Sequence, residues 1–168
     1  GPGYGTVLEA GGHTPIYVTA SQATDVGFLS ALDVLIISRR AGTPELKTYV
    51  ETGGSLITEW SATDWALNEG DLLSGDAQVG FDTSTYIGTG TPITFTSAGL
   101  AAGLGAGLAN SFADEGATQF FWPVANLGAD VQVLATRDGN EPVIISGDSG
   151  AGQVLIMAHD WNDRDYDP

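Results

Sequence analysis

The chain has 168 residues, 24 of them glycine, and its 21 acidic and 5 basic residues give a net charge of −16. A surface this acidic argues against nucleic acid and anionic membranes as partners, because both bind basic surfaces. The absence of cysteine excludes a thiol nucleophile, thiolate metal sites and disulfides from these residues, and no apolar run approaches the ~20 residues of a membrane helix.

The length predicts a single domain. We expect this domain to span residues 3–160, with Gly1-Pro2 as a tag remnant and residues 161–168 as an acidic tail or the start of a linker. The acidity fits extracellular or high-salt conditions or cation binding, and the lack of cysteine is common in bacterial surface proteins. If Gly1-Pro2 is a tag remnant, we expect neighbouring domains in the same chain.

The first elements in chain order are short. A helix is predicted at residues 4–12, where two glycines end it, followed by a strand at 16–20 and a helix at 23–32. The first of these helices is separated from the strand by only a short turn. This part of the chain therefore begins as alternating helix and strand.

Residues 33–65 form the clearest unit. The branched apolar run at 34–38 is typical of a strand that is buried on both faces. Thr43 suits a helix cap and Pro44 the first helical position, and Gly53 suits the end of that helix. A second strand at 55–60 leads to Ser61, which predicts the cap of a further helix. The resulting β-α-β-α unit should have a right-handed connection.

The second half of the sequence favours antiparallel pairing. Residues 100–110 are rich in glycine and predict a loop with a helical turn. Short turns separate the last three strands, so we expect these to be antiparallel. The predicted strands and extended segments of this half are 78–86, 92–96, 120–124, 131–135, 142–146 and 153–158.

Four segments in this order resemble the class I glutamine amidotransferase-like superfamily, in its trehalose-utilisation-type branch. They are LEAGGHT at 8–14, ALDVLII at 31–37 with the helix and strand after it, VLAT at 133–136 with PVII at 142–145, and GQVLIMAHD at 152–160. The resemblance implies an α/β, flavodoxin-like three-layer sandwich with a mainly parallel sheet and antiparallel C-terminal strands. One departure is that the superfamily has a central strand before its first helix, whereas only three residues precede Tyr4.

The same resemblance places the candidate catalytic groups. It puts the nucleophile in the turn after residues 55–60, where this chain has Glu59, Trp60 and Ser61, and the base at His159, beside Asp160. A strained nucleophile turn needs small neighbours, as in G-x-S-x-G. The neighbours of Ser61 are bulky, which favours a helix cap over a nucleophile. His159 fits a general base or metal ligand, but a structural histidine at a strand end is favoured, because the sequence shows no nucleophile and no second metal-binding histidine.

Candidate ligand-binding residues follow the same strand ends. Arg39 and Arg40, two of only five basic residues, suit a carboxylate or a sugar acid. Trp60 and Trp161 offer flat aromatic faces for a saccharide ring. The alternatives are neutralisation of surrounding acids by the arginines and core packing by the tryptophans.

The C-terminal segment carries oxygen ligands at alternating positions, which is the spacing from which a loop can wrap around Ca²⁺. The candidate ligands are Asp160, Asn162, Asp163, Asp165 and Asp167. The spacing is that of a partial site, and a solvated acidic linker explains it equally well. The glycine-rich segments lack the context of a phosphate loop, so no nucleotide or organic cofactor is expected.

Three functions remain open from the sequence. The first is a non-catalytic module of a larger secreted or cell-surface protein that is structural or binds a saccharide or peptide, with Ca²⁺ as a candidate cofactor. The alternative is a sugar hydrolase that uses His159, Asp160 and Glu59 as acid–base groups. The third is a domain used mainly for self-association.

Overall fold

A mixed β-sheet organises the chain in the computed structural model, which describes residues 3–74, 91–107, 109–114 and 126–158. Seven strands in these residues form one sheet. They are β1 (Val34–Ser38), β2 (Ser55–Glu59), β3 (Thr91–Phe95), β4 (Phe112–Asp114), β5 (Gln132–Arg137), β6 (Glu141–Ser149) and β7 (Gly152–Met157), in the spatial order β1-β2-β7-β6-β5-β3-β4.

Five short helices accompany this sheet in the described residues. They are α1 (Gly3–Ala10), α2 (Val26–Leu29), α3 (Pro44–Glu51), α4 (Ala62–Asp64) and α5 (Ser97–Ala101). A 3-10 turn (Gln22–Thr24) precedes α2, and a π-helical turn (Trp65–Glu69) continues α4. No helix in the described ranges is long and apolar enough to cross a membrane.

The predicted α/β fold is confirmed, but the sheet is mixed rather than mainly parallel, and it divides into two halves. The pairs β1–β2 and β2–β7 are parallel, whereas β7–β6, β6–β5, β5–β3 and β3–β4 are antiparallel. Antiparallel pairing of the last three strands agrees with the sequence prediction. The parallel half is the part that resembles a flavodoxin-like sheet.

The central unit forms for the reasons that its sequence indicated. Thr43 Oγ1 accepts a hydrogen bond from Leu46 N at 3.3 Å, so the predicted cap begins α3, and Pro44 is its first residue. The helix ends before Gly53, whose φ of +122° suits only glycine. Leu46, Tyr49 and Val50 of α3 are buried against the sheet.

Two hydrophobic clusters cover opposite faces of the sheet. The first lies under α2, α3 and the π-helical turn, and the second lies under α5. The register assigns the strand residues to these faces, because Ile145 pairs with Ile156 in the first cluster while Ile144 pairs with Met157 beside the second. The first cluster therefore supports the parallel half and the second supports the antiparallel half.

Several predicted elements differ in the structure. Residues 16–20 were predicted as a strand, but 13–19 have no regular secondary structure, because no neighbouring strand in the described residues pairs with them. The helix predicted at 23–32 is divided at Asp25, whose side chain accepts from Phe28 N and starts α2 anew. The strand predicted at 142–146 is longer, since β6 continues to Ser149. Predicted segments 78–86 and 120–124 lie outside the described residues.

Tyr49 connects α3 to the start of β2 and to the segment that precedes β1. Its hydroxyl accepts a hydrogen bond from Ser55 N at 3.2 Å and is within donating distance of Ser55 O at 3.2 Å and Leu32 O at 3.3 Å. Burial raises the pKa of the Tyr49 phenol above its usual range, and the negative charge of Asp33 adds to the rise. The neutral phenol is therefore the form that the fold favours.

We expect Tyr49→Phe to lower the free energy of unfolding by about 1–2 kcal/mol near neutral pH, because Ser55 loses its buried partner. The raised pKa adds a pH dependence: the Tyr49 contribution is complete below about pH 10, where the unfolded phenol titrates, and is lost as the pH rises through the folded pKa. The difference between wild type and Tyr49→Phe in urea unfolding should therefore shrink above pH 10. Tyr17→Phe, at an exposed position, is the control and should change nothing.

Candidate functional site

The carboxyl ends of β1 and β2 lie side by side at one end of the parallel strands, which we call the carboxyl edge of the sheet. Ser38 pairs with Glu59 at the end of the two strands, and Glu59 pairs with Met157 of β7. Open α/β sheets bind ligands beyond the carboxyl ends of their parallel strands. The residues that directly follow β1 and β2 are Arg39 and Trp60, which are therefore neighbours at this edge.

Both of these residues adopt a left-handed backbone. Arg39 and Trp60 each have φ of 55°, in a region that side chains other than glycine rarely occupy, at roughly 1–3 kcal/mol per residue. Two backbone hydrogen bonds hold Trp60 in this conformation. Its N–H donates to Met157 O at 3.2 Å, and its carbonyl oxygen accepts from Thr63 N at 2.9 Å. Strained residues of this kind cluster at ligand-binding and active sites.

The side chains of the two residues stack. The guanidinium carbon of Arg39 lies 5.7 Å from the centroid of the Trp60 ring, which is within the range of a cation–π interaction. Arg39 and the adjacent Arg40 are exposed, and Trp60 is half-buried. Three of the four predicted ligand-binding residues therefore lie together, and we call Arg39, Arg40 and Trp60 the Arg–Trp edge.

Glu59, a candidate acid–base group, is completely buried as the last residue of β2. Its side chain lies on the same face of the sheet as Ile57, since residues alternate along a strand. A carboxyl with no exposed surface does not meet a substrate unless its surroundings move. Glu59 therefore lies next to the Arg–Trp edge in sequence but inside the protein.

The prediction that the Ser61 side chain caps the helix after β2 is wrong. Ser61 precedes α4 at the cap position, but its φ of −65° and ψ of −18° are already helical, and its side chain forms no capping hydrogen bond. Thr63 instead fixes this helix, because its hydroxyl donates to Met157 O at 3.0 Å. The strained position of the strand-to-helix turn is Trp60, one residue before Ser61, so the residue type at the strained position is not a nucleophile.

The remaining predicted site residues lie outside the described residues. They are His159, Asp160, Trp161, Asn162, Asp163, Asp165 and Asp167. The described part of the chain contains no group of three or more His, Asp or Glu side chains that could hold a metal ion. The Ca²⁺ site and the role of His159 therefore stay predictions.

A cavity of about 460 Å³ opens at the opposite end of the parallel strands. It lies on the sheet face away from α3, and its rim is polar. Ser74 donates a hydrogen bond to Asp130 on this rim, which together with a backbone hydrogen bond holds the pKa of that carboxyl below its usual range. Residues of five strands or their flanks line it, among them Val34, Ser55, Ile57, Gln132, Asp148 and Leu155. No local pattern in the sequence indicates this cavity, because it depends on which strands become neighbours.

The left-handed backbone at Trp60 is the feature that sequence reasoning missed at the Arg–Trp edge. A strand that is followed at once by a helix requires a sharp turn, so the sequence did indicate a turn at residues 59–61. The residue in the strained position could not be identified from it, because tryptophan has no preference for positive φ.

No protein-family model matches the chain, and no curated protein matches it. Solved structures do. The protein described as cytoplasmic protein STM1381 from Salmonella typhimurium LT2 is 15% identical with a TM-score of 0.64, covering 90% of this chain and 72% of that one. A putative ThuA-like protein from Bacteroides uniformis is 14% identical with a TM-score of 0.64, covering 93% and 72%.

A third similar structure is a putative GMP synthase component from Thermoplasma acidophilum. It is 14% identical with a TM-score of 0.61, and the alignment covers 92% of this chain and 74% of that one. At such identities the similarity concerns the fold and not the chemistry. The chain therefore shares its α/β, flavodoxin-like fold with structures described as ThuA-like and as a GMP synthase subunit.

Proposed function

We propose that this domain is a non-catalytic module of a larger secreted or cell-surface bacterial protein and binds a saccharide at the Arg–Trp edge. The observation that carries the proposal is the stacked pair of Arg39 and Trp60, each in a left-handed conformation at the end of adjacent parallel strands. The fold alone does not imply this function, since one fold supports many activities.

The chemistry of the pair suits a sugar that carries a carboxylate. An indole ring offers a flat apolar surface to the C–H face of a pyranose, and Trp60 is half-buried, so part of its ring remains accessible. Guanidinium groups bind carboxylates through paired, charge-assisted hydrogen bonds. Arg39 and Arg40 are both exposed and supply these donors within an otherwise acidic protein.

The backbone strain supports a ligand function over a purely structural one. Glycine would occupy φ of 55° without steric cost, yet both positions carry large side chains. A chain under selection for stability alone gains from glycine at these positions. Retaining arginine and tryptophan there is explained if their side chains contact a ligand.

Arg39→Gly tests the proposal because it removes the guanidinium and also relieves the left-handed strain. We expect the variant to be as stable as wild type or up to about 1 kcal/mol more stable. Its dissociation constant for a uronate-containing oligosaccharide should nevertheless rise at least about tenfold, as for one lost charge-assisted interaction. Isothermal titration, with thermal unfolding of the same samples, measures both quantities.

Asp138→Gly is the matched control, since Asp138 also has a left-handed backbone, with φ of 47°, but lies in the turn between β5 and β6. It should gain similar stability and bind the oligosaccharide as wild type does. A neutral oligosaccharide serves as a second titrant, and a chelator arm tests the predicted Ca²⁺ dependence. If wild type binds neither sugar, or if Arg39→Gly binds as tightly as wild type, the proposal fails.

Hydrolysis of sugars by His159, Asp160 and Glu59 is the alternative function. The complete burial of Glu59 favours binding over hydrolysis. Turnover of a glycan by wild type that is lost in Glu59→Gln would replace the binding proposal with the hydrolytic one.

A further inference from the structure

Arg39 covers a ring face that the proposed saccharide site needs. Its guanidinium carbon lies over the Trp60 ring, 5.7 Å from the ring centroid. Trp60 is half-buried and Arg39 is exposed, so the ring face beneath the guanidinium is on the solvent side of the indole. The side chain that attracts an acidic sugar therefore also occupies the surface on which that sugar would stack.

The space between the two groups is too narrow for a sugar ring. Carbon atoms in contact lie about 3.5–4.0 Å apart, so a pyranose between an indole and a guanidinium needs about 7–8 Å. The observed distance from the guanidinium carbon to the ring centroid is only 5.7 Å. A sugar can stack on this face only if one of the two side chains moves.

Trp60 is the fixed member of the pair. Its N–H and the hydroxyl of Thr63 both donate to Met157 O, at 3.2 and 3.0 Å, and its carbonyl oxygen accepts from Thr63 N at 2.9 Å. Thr63 is completely buried. Trp60 therefore cannot shift without breaking the hydrogen bonds that join its turn to β7.

The backbone that carries Arg39 is anchored as well, but its side chain is not enclosed. Gly42, three residues further along, packs on the buried ring of Trp65, because a Cβ atom at Gly42 would clash with that ring. The guanidinium of Arg39, by contrast, ends a long and exposed side chain. Exposed side chains change rotamer on the picosecond-to-nanosecond timescale, so the group that moves is the Arg39 side chain.

The free-energy cost of moving Arg39 is offset to a different extent by neutral and acidic sugars. A neutral sugar offers the displaced guanidinium only hydroxyl groups as hydrogen-bond acceptors. A carboxylate offers charge-assisted hydrogen bonds, which are roughly twice as strong as those between neutral groups. Arg39 therefore disfavours neutral sugars and favours acidic ones, which are the repulsive and attractive elements that specific binding sites combine.

On the basis of the saccharide function proposed above, we propose that Arg39 is the specificity-determining residue of the site. It covers Trp60 when no ligand is bound, and a carboxylate on the sugar draws it away from the ring. A sugar without a carboxylate binds at a disadvantage that corresponds to the lost cation–π contact. At exposed sites this contact amounts to about a two- to fivefold change in the dissociation constant.

The test compares trigalacturonate with its fully methyl-esterified form, which has the same sugar rings without the negative charge. Isothermal titration measures the dissociation constants of both ligands for wild type and for Arg39→Gly. We expect Arg39→Gly to bind the ester about two- to fivefold more tightly than wild type does, because its indole ring is uncovered. The same variant should bind trigalacturonate at least about tenfold more weakly.

Asp138→Gly is the matched control for backbone strain. Asp138 also has a left-handed backbone, but it lies in the turn between β5 and β6. This variant should bind both ligands as wild type does. Tighter binding of the ester by Arg39→Gly alone then reports the uncovering of the ring and not the relief of strain.

Nuclear magnetic resonance follows the movement of Arg39 directly in wild type. The ring current of Trp60 shifts the Arg39 Nε–H proton upfield in the free protein, and Trp60→Gly supplies the unshifted reference. We expect saturation with trigalacturonate to move this resonance to the reference value. The shift is measured without any change in the protein, so a general loss of stability cannot produce it.

Two results would overturn the role of Arg39 and leave the saccharide function standing. One is that wild type binds trigalacturonate but Arg39→Gly binds the ester no more tightly than wild type does. The other is that the Arg39 resonance keeps its upfield shift when trigalacturonate saturates the protein. If wild type binds neither ligand, the saccharide function fails and the role of Arg39 fails with it.

Discussion

Replacing Gly152 with alanine is expected to lower the free energy of unfolding by about 3 kcal/mol, at the upper end for overpacking in a protein interior. A Cβ atom at Gly152 would clash with the carbonyl oxygens of Val50 and Gly54, which are backbone atoms and cannot move as a side chain can. This contact is where β7 begins against the end of α3. The clash must therefore displace either the helix or the strand.

The hydrogen bonds around Gly152 explain why relaxation is limited. Ala151 N donates to Glu51 O at 2.9 Å, and Gln153 N donates to Gly54 O at 3.2 Å. Moving β7 away from α3 lengthens both. For a domain of this size, the melting temperature should fall by roughly 6–12 °C, as measured by calorimetry alongside urea unfolding.

Gly139→Ala is the control for the backbone conformation of glycine. Gly139 has φ of +84°, and a Cβ atom there would have nothing within 4 Å. We expect the free energy of unfolding of this variant to fall by about 1–2 kcal/mol through left-handed backbone strain alone. A Gly152→Ala protein as stable as Gly139→Ala would contradict the close packing of β7 against α3.

Glu141→Gln is expected to have a comparable effect through charge. Glu141 Oε2 accepts hydrogen bonds from Arg137 Nε at 2.9 Å and Nη2 at 2.6 Å, and the arginine side chain is 1% exposed. Removing one partner of a buried ion pair lowers the free energy of unfolding by about 3–5 kcal/mol. Because Glu141 itself is partly exposed and water can approach it, we expect the lower value, about 3 kcal/mol.

The chain contains a matched ion pair on its surface. Lys47 and Glu51 of α3 have the same i, i+4 spacing, and Lys47 Nζ lies 3.7 Å from Glu51 Oε1. Both side chains are at least 35% exposed. Glu51→Gln should therefore cost at most about 0.5 kcal/mol. Urea unfolding of Glu141→Gln and Glu51→Gln separates the effect of burial from the effect of sequence spacing. An equal decrease in the free energy of unfolding in both variants would refute the role assigned to burial of Arg137.

Local patterns in the sequence predicted the central unit well. The apolar run at 34–38, the Thr43-Pro44 helix start and the glycine stop each depend on residues within one turn or one strand. The fold class was also accessible, because alternating strands and helices followed by strands with short turns allow few arrangements. Arg39, Arg40 and Trp60 were predicted at a common edge, because parallel strands in register end together.

Other features required contacts between distant residues. Residues 16–20 have the composition of a strand, but a strand needs a partner, and no described neighbour pairs with them. Ser61 has the residue type of a cap, but its backbone is already helical and the non-helical residue of the turn is Trp60. The ion pair of Arg137 is a local contact whose burial depends on distant parts of the fold.

The sequence by itself determined which segments form α3, β2 and the three C-terminal strands, because periodicity, capping and turn residues act over short distances. It also determined the net charge and the absence of a thiol in these residues. Only the tertiary structure decided the strand order, the stacking of Arg39 on Trp60, the burial of Glu59 and the position of β1 at one side of the described sheet. These depend on which surfaces meet after long loops close, and pairing between distant segments leaves little trace in local sequence.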